Sequence, residues 1–338
     1  MTRISFDEMK ATIQKAFIKA GMPEDRADIC ARIHTETTAD GVNSHGVNRV
    51  ERFVEYLSNG WVDATASPSL INSLGALEIY NGNLGPGILN AQFAINRAIE
   101  LADKNGVGWV SLQNTTHWMR GGTYGWMAAK KGYAGICWTN TERCMPPWGG
   151  KAEGIGNNPF VMAVPRKEGP LVLDMAMSQY SYGKVWGTRD KKQKLPYPGG
   201  FDHNGQLTDD PAIISETRRI LPMGMWKGSG FAIMLDLISA LSSGGLTTAG
   251  IDKVGKGSGG GSNQIFIAVD VSKINSLEFI EKSIAETIEQ IKSSDPAKEN
   301  GEIYFPGEQS MKTRKENMEL GIPVDDSVWA KIRELANS

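Results

Sequence analysis

The sequence predicts an α/β protein, and three observations carry that expectation. Residues 6 to 59 have helical periodicity, short apolar runs alternate with helical patterns from residue 74 onward, and an excess of glycine gathers between those elements. The first helix stops near Gly21, and the second opens at Pro23 with Glu24 and Asp25 in its first turn. A third begins at Asn43-Ser44-His45, where Ser44 suits an N-cap. Strands are expected at Leu77 to Tyr80, Trp109 to Leu112, Ile136 to Trp138, Phe160 to Val164 and Ile265 to Val269. Between them lie helical patterns at 88–104, 122–131, 229–243 and 277–292. The last places Leu277, Ile280, Ile284, Ile288 and Ile291 on one face, with Glu278 and Lys282 four apart outside it.

Composition removes whole classes of function. The 338 residues hold 36 Lys plus Arg against 38 Asp plus Glu, so a net charge of −2 offers no field for nucleic acid or an anionic membrane. Only Cys30, Cys137 and Cys144 occur, without a C-x-x-C, which argues against a disulfide framework and a thiolate metal site. The start MTRISFDEMK has no apolar core of a leader, and no stretch reaches the ~18 apolar residues of a membrane span. A cytoplasmic location is expected.

Glycine gathers at 82–87, 149–156, 199–205, 224–230 and 255–261, where backbone must turn or approach a ligand. Gly255-Lys256-Gly257-Ser258-Gly259-Gly260 matches G-x-G-x-x-G, but a Rossmann fingerprint needs a strand before it and a helix after it. Here a strand follows, so the segment reads as a flexible surface loop. No phosphate-loop motif and no G-x-S-x-G is present.

The four histidines have no metal-ligand spacing, and no metal is expected. His45 and Arg49 stand four apart at the start of the third helix, an arrangement that suits an anion: a guanidinium fork, free N–H groups and an imidazole beside them. A helix start with an incidental histidine fits that spacing equally well. His117 follows a strand, where α/β folds place ligands, although a loop histidine bound to backbone fits as well. His34 and His203 read as structural or solvated. Trp118-Met119 and Met145 to Trp148 suit either a pocket wall or the core.

Five segments decide between these alternatives: Ser44-His45-Gly46-Val47-Asn48-Arg49, His117 to Gly122, Ile136 to Asn140, Gly156 to Pro159 and Pro222 to Gly228. Together they resemble the type-2 malate/L-lactate dehydrogenase family, nearly end to end. The resemblance implies a mixed-sheet, non-Rossmann dinucleotide-binding fold and a homodimer. It also implies an NAD-dependent reductase, NADH rather than NADPH, of a 2-oxo sugar acid, with malate-, lactate- or ureidoglycolate-type substrates as the alternative. A nicotinamide-binding regulator is the reading from another class, and intact His45 and Arg49 speak against it.

By resemblance His45 donates the proton and Arg49 holds the substrate carboxylate. His117 belongs to the catalytic set, and Ser44 and Arg120 to the substrate site. Cofactor contacts carry over to Pro170, Leu171, Val172, Leu173, Asp174, Met175 and Ala176, to Trp226 and Lys227, and to Gly307, Glu308 and Gln309. The expected division is an N-terminal helical segment 1–70 that carries His45 and packs with 301–338, and an α/β domain 71–300.

Overall fold

The computed structural model describes residues 2–299 and 301–337. The chain opens with β1 (Thr2–Ile4), α1 (Phe6–Lys19) and α2 (Glu24–Ala39), passes two 3-10 turns, and continues as α3 (Val50–Ser58). Ser5 caps α1 by accepting from Glu8 N–H, and Pro23 precedes α2 as its sequence position implies. Next come β2 (Ser69–Leu74), β3 (Leu77–Asn81), α4 (Gly87–Asn105), β4 (Val107–Thr115), α5 (Gly122–Lys130), β5 (Ala134–Thr139), β6 (Phe160–Val164) and β7 (Leu171–Met175). An excursion of α6 (Tyr182–Asp190), the short hairpin β8 (Gly200–Phe201) and β9 (Leu207–Thr208), and α7 (Pro211–Thr217) follows. Then come α8 (Trp226–Ser243), α9 (Thr248–Val254), β10 (Ser262–Val269), α10 (Leu277–Lys292), α11 (Glu308–Leu320), β11 (Ile322–Val324) and α12 (Asp326–Asn337).

The main sheet has seven strands in the order β2-β3-β4-β10-β5-β6-β7, and only β3 and β4 run parallel. A doubly wound nucleotide-binding sheet is mostly parallel, so this mixed sheet lies outside that class, as expected. Helices α4 and α5 cover one face through Ile95, Tyr124, Cys137 and Phe266, while Ala232 and Leu235 of α8 pack on Trp138 and Ile265 of the other. A third core joins the two ends of the chain: Phe17 and Phe53 meet edge to face at 5.0 Å, within a cluster that includes Ile4, Ile322, Trp329 and Ile332. Strand β11 pairs antiparallel with β1, which fixes the C-terminal helix on the N-terminal ones.

Three local expectations need correction. The glycine-rich segment after α9 is a 3-10 turn at Gly257–Gly259, not a free loop: Ser258 Oγ meets Tyr56 OH at 3.1 Å. Gly259 lies where a Cβ would come within 2.8 Å of the Trp61 ring, so glycine there permits close packing. On α10, Leu277 is 69% exposed and Lys282 pairs with Glu286 at 3.8 Å instead of Glu278. The third correction, at the start of α3, belongs to the site. Among the described residues no single helix is long and apolar enough to cross a membrane; α8 and α9 together pass only as a pair bent by 75°.

Candidate active site

Between α2 and α3 the predicted helix start is replaced by two 3-10 turns, Asn43–His45 and Val47–Arg49. Gly46 separates them, with φ −104° and ψ −118°, pressed so closely onto α2 that a Cβ would lie 2.3 Å from Thr38 Oγ1 and 2.9 Å from Thr38 N. Two buried side chains of α2 hold this corner. His34 Nδ1 donates to Gly46 O at 2.9 Å, and Thr38 Oγ1 accepts from Val47 N at 2.9 Å while donating to His34 O at 2.7 Å. Because a carbonyl can only accept, the His34 proton sits on Nδ1, and its buried Nε2 has no partner. Burial lowers the His34 pKa to about 4, so the ring is neutral.

The backbone N–H groups of His45, Gly46, Val47 and Arg49 are all engaged inside this corner. The free helix start expected from the spacing is therefore absent, and Ser44 is not a cap. Its hydroxyl instead meets His45 Nδ1 at 3.1 Å, which leaves Nε2 as the ring nitrogen available to a ligand. Positive potential comes from side chains.

His45, Arg49, Ser44, His117 and Arg120 line one cavity of about 1520 Å³. His117 lies just past the carboxyl end of β4, on a turn where Met119 takes the left-handed φ of 65°. That conformation is strained for a non-glycine residue, and it aims the Met119 N–H at His117 Nδ1, 2.9 Å away. With Nδ1 accepting, neutral His117 carries its proton on Nε2 and is a hydrogen-bond donor. The His45 and His117 rings stack at 5.8 Å and 20°. Burial, with Arg49 and Arg120 adding repulsion, pulls the His45 pKa down to about 3, and burial holds His117 well below its ordinary value. Both rings are neutral.

The arginines divide into two kinds. Arg120 is buried and ion-paired with Asp40, its Nε lies 3.6 Å from Asp174, and Arg314 meets the other oxygen of Asp40 at 2.8 Å. Its guanidinium clamps α2, β7 and α11 together, so it is not a free grip for a substrate carboxylate. Arg49 and Arg52 line the same cavity, and neither has an ion-pair partner among the described residues; Glu142 attracts them only through space. Burial and the neighbouring Arg52 charge destabilise the Arg49 cation, a penalty an incoming carboxylate relieves.

Of the cofactor segments, Val172, Leu173, Asp174, Met175, Ala176, Gly307 and Gln309 line the cavity, whereas Pro170, Leu171, Glu308, Trp226 and Lys227 do not. Glu308 pairs with Lys292 at 2.5 Å, and Trp226 is 64% exposed at the start of α8. Strand β7 is the sheet edge, and Val172 N–H turns outward to Pro306 O at 3.0 Å. By the two-residue repeat of a strand, the Asp174 N–H and C=O face that same open edge, a hydrogen-bonding rail for a flat polar group. The cavity exceeds the ~300–1,000 Å³ of a site for one small molecule, so cofactor and substrate fit side by side. Glu142 and Arg52 also line it and were missed in the sequence; Glu142 stands just past the carboxyl end of β5, a position the strand-end rule could have flagged. Trp118 and Met119 reach the cavity wall from the core, while Met145 is wholly core, Trp148 packs over Phe201, and His203 is exposed beside Glu216. Among the described residues no group of His, Cys, Asp or Glu is placed to hold a metal ion.

A mixed sheet with an open edge strand, two neutral stacked histidines and an arginine without an ion-pair partner among the described residues together form one large cavity suited to a small anionic ligand. The comparisons with known proteins agree. The malate/L-lactate dehydrogenase family profile matches residues 4–333, and the chain belongs to that family. The 2,3-diketo-L-gulonate reductase of Salmonella paratyphi A is 44% identical over 333 residues, 98% of this chain and all of that one. Among solved structures, malate dehydrogenase from Pyrococcus horikoshii OT3 superposes with a TM-score of 0.90 at 28% identity, covering 99% of this chain and 95% of that one. Sulfolactate dehydrogenase from Methanocaldococcus jannaschii gives 0.88 at 28% identity, covering 99% and 97%. The protein is thus an oxidoreductase of the 2-hydroxy/2-oxo acid type, a class that uses a nicotinamide cofactor.

Proposed function

We propose that this chain reduces a 2-oxo sugar acid, 2,3-diketo-L-gulonate to 3-dehydro-L-gulonate, with NADH. The observation that carries the proposal is the unpaired Arg49 beside His45 and His117 in the shared cavity, together with the 44% identical reductase. The β7 edge from Val172 to Ala176, with Gly307 and Gln309, would hold the nicotinamide cofactor, which would supply the hydride. Arg49 binds the carboxylate and so fixes which carbon is presented. His117 Nε2–H donates to the reacting carbonyl oxygen, and His45 Nε2 delivers a proton to it as its π electrons become a lone pair. Such proton transfer contributes about 10² to 10⁴-fold.

Because burial, with Arg49 and Arg120 repulsion added, keeps His45 neutral, its proton arrives with the substrate: a carboxylate bound beside the ring attracts the imidazolium directly and offsets Arg49, raising the His45 pKa. Ser44 orients that ring through Nδ1, and Arg120 is assigned to shaping the site by holding Asp174, not to gripping substrate.

We further propose that two copies pair through the exposed apolar side of α8, where Trp226, Met234, Leu237 and Leu241 face outward, Leu241 being 83% exposed. Trp226 and Lys227 lie outside the cavity of their own chain, so a cofactor role for them requires that dimer. The three cysteines are free, two of them buried, which supports a cytoplasmic location. Loss of NADH or NADPH absorbance with 2,3-diketo-L-gulonate, pyruvate and oxaloacetate tests the activity and both specificities at once. A preference for oxaloacetate favours the malate-type reading, and no turnover of any of them refutes both.

A further inference from the structure

We propose that Glu142 selects the substrate's tail, its carboxylate accepting hydrogen bonds from hydroxyl groups on the carbons beyond the 2-oxo acid head. The inference rests on the 2-oxo acid reading above. Glu142 shares the cavity wall with His45, Arg49 and His117, and its carboxylate has no ion-pair partner among the described residues. Five arginines line the same cavity, yet Arg120 is held by Asp40, Arg143 turns to Asp252 at 2.5 Å, Arg218 turns to Glu153 at 2.9 Å, and Arg49 and Arg52 act on Glu142 only through space. Burial outweighs their attraction and raises the Glu142 pKa. A half-buried carboxylate held only by its own backbone N–H is costly, and donors brought by a ligand reduce that cost.

The backbone on either side of Glu142 is pinned. Thr141 N donates to Asn158 Oδ1 at 2.9 Å, and Thr141 O accepts from Thr248 Oγ1 at 2.9 Å. Arg143 N donates to Asp252 Oδ1 at 3.0 Å, and Cys144 N to Ile155 O at 3.0 Å. Asn158 is itself buried and donates to Ala232 O at 2.8 Å, so the turn is tied to α8. The carboxylate therefore starts from a fixed base, the preorganisation a specificity group needs.

An ionised carboxylate offers only acceptors. With the substrate's own carboxylate on Arg49, Glu142 favours a hydroxylated tail and repels a second carboxylate. A sugar acid meets that requirement, pyruvate has no tail to offer, and oxaloacetate presents like charge.

The test is kcat/KM for 2,3-diketo-L-gulonate, pyruvate and oxaloacetate with the full-length wild type, Glu142→Gln and Glu142→Asp. In Glu142→Gln the ratio of 2,3-diketo-L-gulonate to pyruvate should fall about 10- to 100-fold, and the ratio of oxaloacetate to pyruvate should rise. Glu142→Asp should recover part of the first ratio. A merely structural role lowers the melting temperature and all three activities together, so unchanged ratios in Glu142→Gln overturn the proposal. A wild type that reduces none of the three overturns the 2-oxo acid reading itself, and this inference with it.

Discussion

Replacing Arg49 by Met separates the two kinds of arginine in the cavity. Arg49 is half-buried with no ion-pair partner among the described residues, so its removal breaks no ion pair of the fold and only weakens a through-space attraction on Glu142. What it loses is the charge-assisted fork to the substrate carboxylate, expected to cost about 2–4 kcal/mol in kcat/KM, or roughly 30- to 1,000-fold. The neutral histidines beside Arg49 leave its attraction for a carboxylate undiminished, while Glu142 acts on it through space and takes up part of that attraction. Arg120→Met removes one of the two cations on Asp40 and the cation beside Asp174, so its main cost is stability, short of the about 3–5 kcal/mol of a fully stranded buried charge because Arg314 remains on Asp40. The assay compares kcat/KM for a 2-oxo acid and its primary amide, with NADH affinity and melting temperature measured alongside. Wild type should discriminate strongly against the amide and Arg49→Met barely at all, with NADH affinity preserved in both. Equal discrimination by both enzymes would show that the carboxylate binds elsewhere.

Three further outcomes follow from the corner that carries His45. Gly46→Ala drives a Cβ into Thr38 Oγ1 and backbone N, so kcat should drop by about 10² through misplacement of His45 and Arg49; a fully active variant contradicts the tight packing. Binding of oxamate, a 2-oxo acid mimic, with NADH near pH 6 should take up protons, because a carboxylate on Arg49 raises the His45 pKa from about 3; calorimetry in buffers of different ionisation enthalpy reads this, and zero uptake refutes it. His34, near 4 folded against about 6.5 unfolded, makes the unfolded chain bind the extra proton, so stability is complete above about pH 6.5 and falls on acidification, by about 2 kcal/mol at pH 5. His34→Asn keeps a donor for Gly46 O and should lack that share of the acid sensitivity in denaturant titrations; an identical pH slope refutes the assignment.

The long periodic elements were legible in the sequence. α10 at 277–292 and β6 at 160–164 fall where the pattern placed them, because period and apolar content agree over their full lengths. Strand β2 at Ser69–Leu74 was not legible, since all six residues are exposed and no alternation marks a buried face. The His45–Arg49 spacing pointed to two side chains that do line one cavity, but the continuous helix start behind that reading is absent: Gly46 breaks the helix, and the contact that requires this comes from Thr38, earlier in the chain on α2. Arg120 shows the other limit. Its partners Asp40, Asp174 and Arg314 are brought together only by the fold, so a one-dimensional reading cannot tell an engaged guanidinium from a free one.

Proton donation by His45 is tested most directly by single-turnover oxidation of bound NADH by 2,3-diketo-L-gulonate, followed by NADH absorbance in wild type and His45→Gln. Glutamine preserves size and hydrogen bonding but cannot act as an acid. Hydride transfer should slow by about 10² to 10⁴ while the Kd for NADH stays close to wild type. A transfer rate equal to wild type in His45→Gln, with NADH bound normally, would remove His45 from the reaction.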